Sequence, residues 1–303
     1  MTFLLSDEVA MAVAAGGAVV GLETSVIGQG LPYPRNLECV ERMETAIRDA
    51  QAIPGWIGVV DGAVRVGLER SELERFAEPS AAIKVARRDV PVAVAKGFLG
   101  ATTVSATIWA AHRTGIGVVA TGGIGGVHPG PRPDVSADLL ELARTPIVLI
   151  ASGPKSIVDP TATTEKLEQL GVALVGYGVD RLPFFLVREA PVELEHRVDT
   201  PAGAAAIARA HRSLGVEAAI VLCNPIASEY ALDRDELMAA SARAETLMTE
   251  AGVAGKEVTP FLLRALAEET DGRSLEANLA LLEDNARLAA QIAVAISAAR
   301  SER

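Results

Sequence analysis

Lysine is rare in this chain, and two lysines interrupt apolar segments in which an amine could do chemistry. Among the 28 basic residues the lysines are Lys84, Lys96, Lys155, Lys166 and Lys256. A buried lysine can lose its proton and attack a carbonyl, whereas arginine keeps its charge, so Lys84 and Lys155 are candidates for such a role. Glu23 ends another short apolar run and could move protons beside an amine. These three residues suit a carbonyl or masked-aldehyde substrate.

Glu23 and Lys84 each also have an interpretation that involves no catalysis. Glu23 could serve as a turn or helix-capping acid. Lys84 could lie at a sheet edge, where its charge would stay in water. Lys155 follows the apolar run 147–150, as Glu23 follows the run 18–22, and both positions are typical of catalytic groups at the carboxyl ends of strands in an α/β sheet.

A glycine-rich stretch is the second feature that points to chemistry. After a short apolar run and Thr121, four glycines fall within five residues, at Gly122, Gly123, Gly125 and Gly126. Glycines let a backbone approach a ligand closely and direct N–H groups at it. The stretch therefore predicts an anion-binding loop. The alternative is a tight turn that needs glycine only for a positive φ.

An acidic segment follows the glycines and His128. Asp134 and Asp138 stand on either side of Ser136, just before an apolar helical segment. An aspartate near a histidine and a phosphate could hold a hard divalent cation partly through waters. The segment is therefore a candidate metal or phosphate site.

Several common site motifs are missing. The segment 252–256 carries Gly-Lys, but Glu250 stands where a Walker A motif needs its first glycine, and the third glycine of a dinucleotide fingerprint is replaced by His128. No Gly-x-Ser-x-Gly elbow occurs. The isolated Cys39 and Cys223 form no metal motif and suit a reducing compartment. These absences argue against an ordinary nucleotide hydrolase, a dinucleotide enzyme or a serine hydrolase.

The composition of the chain limits the classes of partner that the protein is expected to bind. The chain has 303 residues, 50% of them hydrophobic, and a formal net charge of -11. An acidic chain without a basic cluster is a poor candidate for binding nucleic acid or an anionic membrane. The first eight residues lack the basic start of a signal peptide, and no uncharged apolar run reaches the length of a membrane span. We therefore expect a cytoplasmic protein with a small-molecule substrate.

Apolar runs alternate with amphipathic segments along the whole chain. This pattern predicts an α/β fold, a single three-layer α/β/α domain over residues 1–303 with a largely parallel mixed sheet. Asp61-Gly62 between two apolar runs predicts a β-hairpin over 56–67. A helix is predicted over 101–113, opening with Thr102. Glu23 and Lys155 are expected to follow neighbouring strands.

Motifs in a fixed order resemble one known family along nearly the whole chain. They are Leu22–Ile27 with Gly30–Glu38, Lys84–Asp89, Thr102–Val104, Ala120–His128, Asp134–Leu139, Gly153–Ile157, Asn224–Ile226, Gly255–Leu263 and Ser274–Asn278. This set resembles the pseudouridine-5′-phosphate glycosidases, also called the indigoidine synthase A-like family.

The resemblance implies reversible cleavage of the C–C bond between ribose 5-phosphate and uracil, with a divalent metal, usually Mn²⁺, in a homotrimer. It implies that Lys155 forms an imine with the ring-opened ribose and that Glu23 donates a proton. Asp134 matches the metal ligand. The implied substrate-binding residues are Lys84, Val104, Thr121, Gly122, Gly123, Ser136, Ala137, Asp138 and, against uracil, Asn278.

Three positions depart from the family pattern, and other functions remain open. One is Asp284, which precedes Asn285 where a second Asn is usual. Gln29 and Pro129 stand where many members have His and Arg, which could alter the metal or phosphate shell. The main alternative is a related glycosidase acting on another phosphorylated nucleoside or a natural-product precursor. A ribokinase-type sugar kinase would need a C-terminal Gly-rich loop with a catalytic Asp, which we do not find. A non-catalytic binding protein would not need Glu23, Lys84 and Lys155 together.

Overall fold

A computed structural model describes residues 3–130, 134–253 and 258–301, with backbone only at 259, 260, 300 and 301. Gly255 and Lys256 of one family motif lie outside the described residues. The strands are β1 (Phe3–Leu5), β2 (Val19–Glu23), β3 (Ile53–Val60), β4 (Ala63–Val66), β5 (Ile83–Val85), β6 (Gly100–Thr102), β7 (Val118–Ala120), β8 (Val148–Ala151), β9 (Ala173–Tyr177), β10 (His196–Val198) and β11 (Ile220–Cys223).

Eleven helices join these strands in the part of the chain that the structure describes. They are α1 (Asp7–Ala14), α2 (Arg35–Asp49), α3 (Arg70–Ala77), α4 (Val90–Lys96), α5 (Val104–Arg113), α6 (Ala137–Leu142), α7 (Pro160–Gln169), α8 (Pro201–Leu214), α9 (Arg234–Glu250), α10 (Val258–Glu269) and α11 (Arg273–Ser301). A π-helical turn covers Val26–Gly30 and a 3₁₀ turn covers Arg87–Asp89.

The strands form one mixed sheet in the order β1-β4-β3-β2-β7-β8-β11-β9-β10, with β6 pairing β3 and β5 pairing β6. Only the β3–β4 and β3–β6 pairs are antiparallel among the described strands. The central strands are buried along their whole length, as expected where helices cover both faces of a parallel sheet. The predicted α/β fold with a largely parallel sheet is confirmed; the single domain stays a prediction.

Two local predictions meet different outcomes. The hairpin is confirmed: β3 and β4 pair antiparallel, and Asp61 and Gly62 both have positive φ, at 49° and 79°. The predicted start of a helix at residue 101 is wrong. Gly100–Thr102 instead forms β6, because the Thr102 hydroxyl donates to the Ile57 carbonyl oxygen at 2.6 Å and Ala101 fits fully buried against β3.

The order of the central strands corrects a further expectation. Glu23 is the last residue of β2 and Lys155 lies four residues after β8, but these strands are not neighbours. Strand β7 lies between them and pairs with both. The glycine stretch that follows β7 therefore lies between Glu23 and Lys155. All three lie at the carboxyl ends of the central strands.

Helix α11 and the pair of helices α9 and α10 pack around this part of the fold. Helix α11 packs on β2, β7 and β8 and on α2 and α8. Helices α9 and α10 pack on each other and form a small apolar cluster of their own with the segment after Lys155, through Ile157 and Val158. We call α9 and α10 the helical cover. No described helix is long and apolar enough to cross a bilayer.

Candidate active site

Two adjoining cavities open at the carboxyl ends of β2, β7 and β8. The larger is a cleft of about 650 Å³, and the smaller has room for about 30 Å³. Glu23, Ser25, Lys84 and Lys155 line both cavities and so form the wall between them. The structure thus brings together the three residues singled out by their chemistry.

Glu23 is almost fully enclosed at this wall. Its side chain is 3% exposed, and the Ser25 hydroxyl donates to Oε2 at 2.6 Å while the Thr121 hydroxyl donates to Oε1. Burial raises the pKa of Glu23, and the positive charge of Lys155 and the two hydroxyls oppose that rise. A carboxyl whose pKa is raised keeps its proton to higher pH, which suits a general acid.

The glycine stretch holds the main chain of Lys155 in place. The Lys155 amide donates to the Ile124 carbonyl oxygen at 3.0 Å, and the Ile124 amide donates to the Gly153 carbonyl oxygen at 3.1 Å. A Cβ at position 123 would lie 2.9 Å from the Phe185 ring and 3.3 Å from Lys155 Cγ. A side chain at position 123 would therefore crowd the Phe185 ring and the Gly153 carbonyl oxygen first, and the Lys155 side chain less closely.

Lys84 lies on β5, which pairs with β6, and its side chain lines both cavities. The two interpretations of this lysine, a sheet margin and a site, are therefore compatible. Val104 begins α5 at the cleft wall and is 1% exposed. The first turn of a helix presents N–H groups that favour an anion, although the Ser105 amide of this turn already binds the Asp138 carboxylate. Arg88 also lines the cleft.

Asp138 ties three segments together beside the cleft. Its Oδ1 accepts the Ser105 amide at the start of α5, and its Oδ2 accepts the Gly125 amide in the glycine stretch, both at 3.0 Å. Ser136 caps α6 by accepting the Asp138 amide at 3.2 Å. Ser136, Ala137 and Asp138, which are predicted to bind substrate, all line the cleft, but the Asp138 carboxylate already binds two backbone groups.

Asp134 and His128 lie at the outer part of the cleft. Asp134 is exposed, and its carbonyl oxygen accepts the His128 amide at 2.9 Å. Burial lowers the pKa of the His128 ring, and the Lys84 charge lowers it further, while Asp134 opposes both effects. The ring is therefore expected to be neutral at pH 7 and able to accept a proton or a metal.

The described residues do not by themselves form a complete cation site. They bring no group of three or more His, Cys, Asp or Glu side chains into metal-binding geometry. The Asp134 carboxylate is nevertheless a hard oxygen donor facing the cleft. A small divalent cation commonly binds through one or two carboxylates, water and substrate phosphate, and the donors present fit that mode of binding.

The small cavity has mostly apolar walls with an amide at one side. Phe185, Leu263 and Leu282 supply apolar surface, and Asn278, 8% exposed, supplies the amide. Gln29 also lines it; its Nε2 donates to the Ala82 carbonyl oxygen at 3.0 Å, and its buried Oε1 has no hydrogen-bond partner among the described residues. The cavity therefore suits a flat ring with polar edges.

Sequence reasoning missed three residues of this site. Ser25 lies two residues after Glu23 in the first family motif, but it begins a helical turn, so strand alternation does not predict that its hydroxyl reaches the Glu23 carboxylate. Phe185 comes from an irregular loop, whose position no periodicity predicts. Asn285 is buried on α11 behind the ends of β7 and β8, and nothing in a helical sequence indicates which asparagine faces the sheet.

Comparison with known proteins gives one consistent result. The family profile for indigoidine synthase A like protein matches residues 8–295. A pseudouridine-5′-phosphate glycosidase of Herpetosiphon aurantiacus is 47% identical over 97% of this chain and 97% of its own length. One of Paracoccus denitrificans is 45% identical over 97% and 98%.

Two solved structures are similar over their whole length. A prealnumycin C-glycosynthase in complex with ribulose 5-phosphate has a TM-score of 0.91 and 39% identity, covering 100% of this chain and 99% of its own. An indigoidine synthase A-like protein of Thermotoga maritima has a TM-score of 0.90 and 39% identity, covering 98% and 97%. At this identity and coverage the fold and the site-bearing segments are shared.

Proposed function

The chain belongs to the indigoidine synthase A-like family, and we propose that it is a pseudouridine-5′-phosphate glycosidase that reversibly forms uracil and ribose 5-phosphate. One observation carries the mechanism: Lys155 and the buried Glu23 line the same cavity, with Glu23 disposed to hold a proton beside the amine. A carbon leaving group needs both an electron sink at the sugar and a proton for the base.

In the cleavage direction, the proposed reaction starts at C1′ of the ribose. The neutral Lys155 amine bonds to C1′ while the C1′–O4′ bond breaks, which opens the sugar, and the proton that the amine then loses goes to O4′. The C1′–C5 bond to uracil then breaks, its electron pair takes a proton at C5 from Glu23, and C1′ becomes an imine with Lys155. Water hydrolyses the imine and releases ribose 5-phosphate and the free lysine. The net reaction consumes one water.

We assign substrate contacts to the walls of the two cavities. Lys84 and the first turn of α5 at Val104 face the large cleft, so they suit the phosphate and ribose. The Ser136–Asp138 turn also lines the large cleft, whereas Gly122 and Gly123 line the small cavity. Thr121 lines neither cavity and reaches the site through its hydrogen bond to Glu23. Asn278 offers an amide donor and an acceptor to the edge of uracil, and Phe185 and Leu282 offer apolar surface to its faces.

We assign the divalent cation, Mn²⁺ or a similar ion, to Asp134. The support is its exposed carboxylate at the cleft and the family implication. A bound cation would neutralise substrate phosphate charge there. Equilibrium dialysis of Mn²⁺ should show weak binding that ribose 5-phosphate strengthens, and Asp134→Asn should remove that strengthening. Equal binding by both proteins would contradict the assignment.

The direct test is condensation of uracil with ribose 5-phosphate, followed with and without Mn²⁺. Borohydride treatment with ribose 5-phosphate alone should label a single lysine, which peptide mapping should place at Lys155. Lys96→Ala is a matched control, since Lys96 is exposed and lines neither cavity. Labelling that persists in Lys155→Ala would reject Lys155 as the nucleophile, and absence of condensation would reject the function.

A second candidate is a related C-glycosidase that joins a phosphorylated pentose to a natural-product aglycone. The match to the prealnumycin C-glycosynthase favours it. The two functions differ in the size of the accepted ring. The small cavity, narrowed by Phe185, Leu263 and Leu282, argues for a pyrimidine. Condensation of ribose 5-phosphate with a polycyclic phenol, but not with uracil, would favour the second function.

We also propose that the protein is a homotrimer in the cytoplasm. The trimer is supported by family membership, and the compartment by the two free cysteines, Cys39 and Cys223, which are both buried. Light scattering coupled to gel filtration tests the assembly. A monomeric mass with full activity would contradict the trimer.

A further inference from the structure

Asn285 is a fully buried amide that binds the ends of three strands at once. It lies on α11 and is 0% exposed. Its Nδ2 donates to the Thr121 carbonyl oxygen at 2.8 Å and to the Ser152 hydroxyl at 3.1 Å, and lies 3.4 Å from the Gly122 carbonyl oxygen. Its Oδ1 accepts the Asn224 side-chain amide at 3.0 Å. Both ends of the amide are thus satisfied.

The partners of Asn285 follow three adjacent strands. Thr121 follows β7, Ser152 follows β8 and Asn224 follows β11, and the sheet order is β7-β8-β11. An asparagine can donate and accept at the same time, which a carboxylate or an aliphatic side chain of that size cannot do. One side chain therefore sets the relative position of the strand ends at the point where the backbone ladder stops.

Glu23 and Lys155 are each connected to the Asn285 amide through one of its hydrogen-bond partners. The residue whose carbonyl Asn285 binds, Thr121, donates its hydroxyl to Glu23. Ser152 begins the turn that leads to Lys155, and its own amide donates to the Gly122 carbonyl oxygen at 2.8 Å. Glu23 ends β2 and Lys155 follows β8, and β7 lies between these two strands, so no direct strand pairing fixes the spacing of the two residues.

We propose that Asn285 is a positioning residue that sets the Glu23-to-Lys155 geometry by clamping Thr121 and Ser152 from behind. The proposal rests on the proposed function of this site. Asn285 does not line either cavity, so it acts through its partners rather than on the substrate. Its contribution is to hold the proton donor and the amine at the distance that the reaction needs.

The test compares variants on one face of one helix. Asn285→Leu removes the clamp while filling the space, and Asn285→Asp keeps the shape but puts acceptors opposite the Thr121 and Gly122 carbonyls. Ile292→Ala is the matched control: Ile292 is also 0% exposed on α11, about 10 Å further from the site along the helix axis. It should create a cavity in the core while leaving the Asn285 hydrogen bonds in place.

We expect both Asn285 variants to lower kcat by roughly 100-fold, the usual effect of a misplaced catalytic group, with KM for ribose 5-phosphate changed less than about threefold. The pH profile should also move. Glu23 is faced by Lys155, Asp138, Ser25 and Thr121. Losing the Thr121 hydroxyl contact would raise the pKa of Glu23, so the alkaline limb of kcat should shift to higher pH. Ile292→Ala should keep the kcat and the pH profile of the parent, although it should lose about as much thermal stability as the Asn285 variants.

Three results would overturn the proposal. One is an Asn285 variant with parental kcat and pH profile; another is a loss of kcat in Ile292→Ala as large as in the Asn285 variants. Crystal structures of the variants give the third: an unmoved Thr121–Glu23 contact in Asn285→Leu, or in Asn285→Asp if the first variant does not fold. Those structures decide the proposal even if the parent fails to condense uracil with ribose 5-phosphate, a failure that would reject the proposed function alone.

Discussion

The two walls of the site are built differently. The inner wall consists of strand ends: Glu23 and Thr121 are 3% and 1% exposed, and hydrogen bonds join them to each other and to Asn285. The outer wall consists of the acidic segment with exposed Asp134 and of the helical cover, which carries exposed Glu245 to the cleft. The proposed proton donor therefore lies among buried, mutually hydrogen-bonded strand ends, whereas the proposed cation ligand, Asp134, lies on an exposed segment.

The largest expected effect is on the inner wall. Lys155→Ala should lower turnover by at least about 10⁴-fold, because the proposed reaction needs the Lys155 amine to form the imine with C1′. Thermal stability should stay close to that of the parent, since the side chain lines open cavities. Steady-state rates and melting curves check both. Turnover within tenfold of that of the parent would contradict the assignment of the nucleophile to the inner wall.

Glu23→Gln should have the next largest effect. Loss of a general acid typically lowers rates by roughly 10²- to 10⁴-fold. The amine is untouched, so borohydride should still trap ribose 5-phosphate on Lys155. Turnover and trapping are therefore expected to separate. A variant that loses both to the same degree would mean that Glu23 acts in imine formation instead of in protonation of the leaving carbon.

A pair of aspartates only four residues apart sharpens the comparison between buried and exposed groups. Asp138 accepts two backbone amides, so Asp138→Asn would set an NH₂ group against one of them and cost about 1–3 kcal/mol of unfolding free energy. Asp134 is exposed, and Asp134→Asn should change stability by less than about 0.5 kcal/mol. Denaturant unfolding measures both. Equal losses would show that the outer wall is as tightly built as the inner one.

The smallest expected effect is the pH dependence of stability due to Glu23. Its pKa is raised in the folded state above the ordinary value of 4.5, so the unfolded state loses its proton first as pH rises. The parent is therefore fully stabilised below about pH 4.5 and loses stability as pH rises toward the folded pKa. The Glu23→Gln variant lacks this loss. The difference in melting temperature, variant minus parent, should therefore increase from pH 4 to pH 7. A constant difference across that range would contradict the raised pKa.

Much of the chemistry was predictable because it depends on residue type. The scarcity of lysine singled out Lys84 and Lys155, and the strand-end position singled out Glu23. The glycine stretch was recognisable, but the sequence did not show that it holds the Lys155 backbone through Ile124 and packs closely against Phe185. The sequence could not indicate that Asp138 binds amides of two other segments, because those contacts join residues 13 and 33 positions away.

What the sequence by itself determined is the α/β alternation, the family and the set of reactive groups, since periodicity, motifs and side-chain chemistry are local properties. Only the tertiary structure decided how those groups meet. It placed β7 between β2 and β8, turned residues 100–102 into a strand, and set Asn285 behind the strand ends. The physical reason is that strand order and buried hydrogen bonds are set by long-range pairing and burial, which no short stretch of sequence encodes.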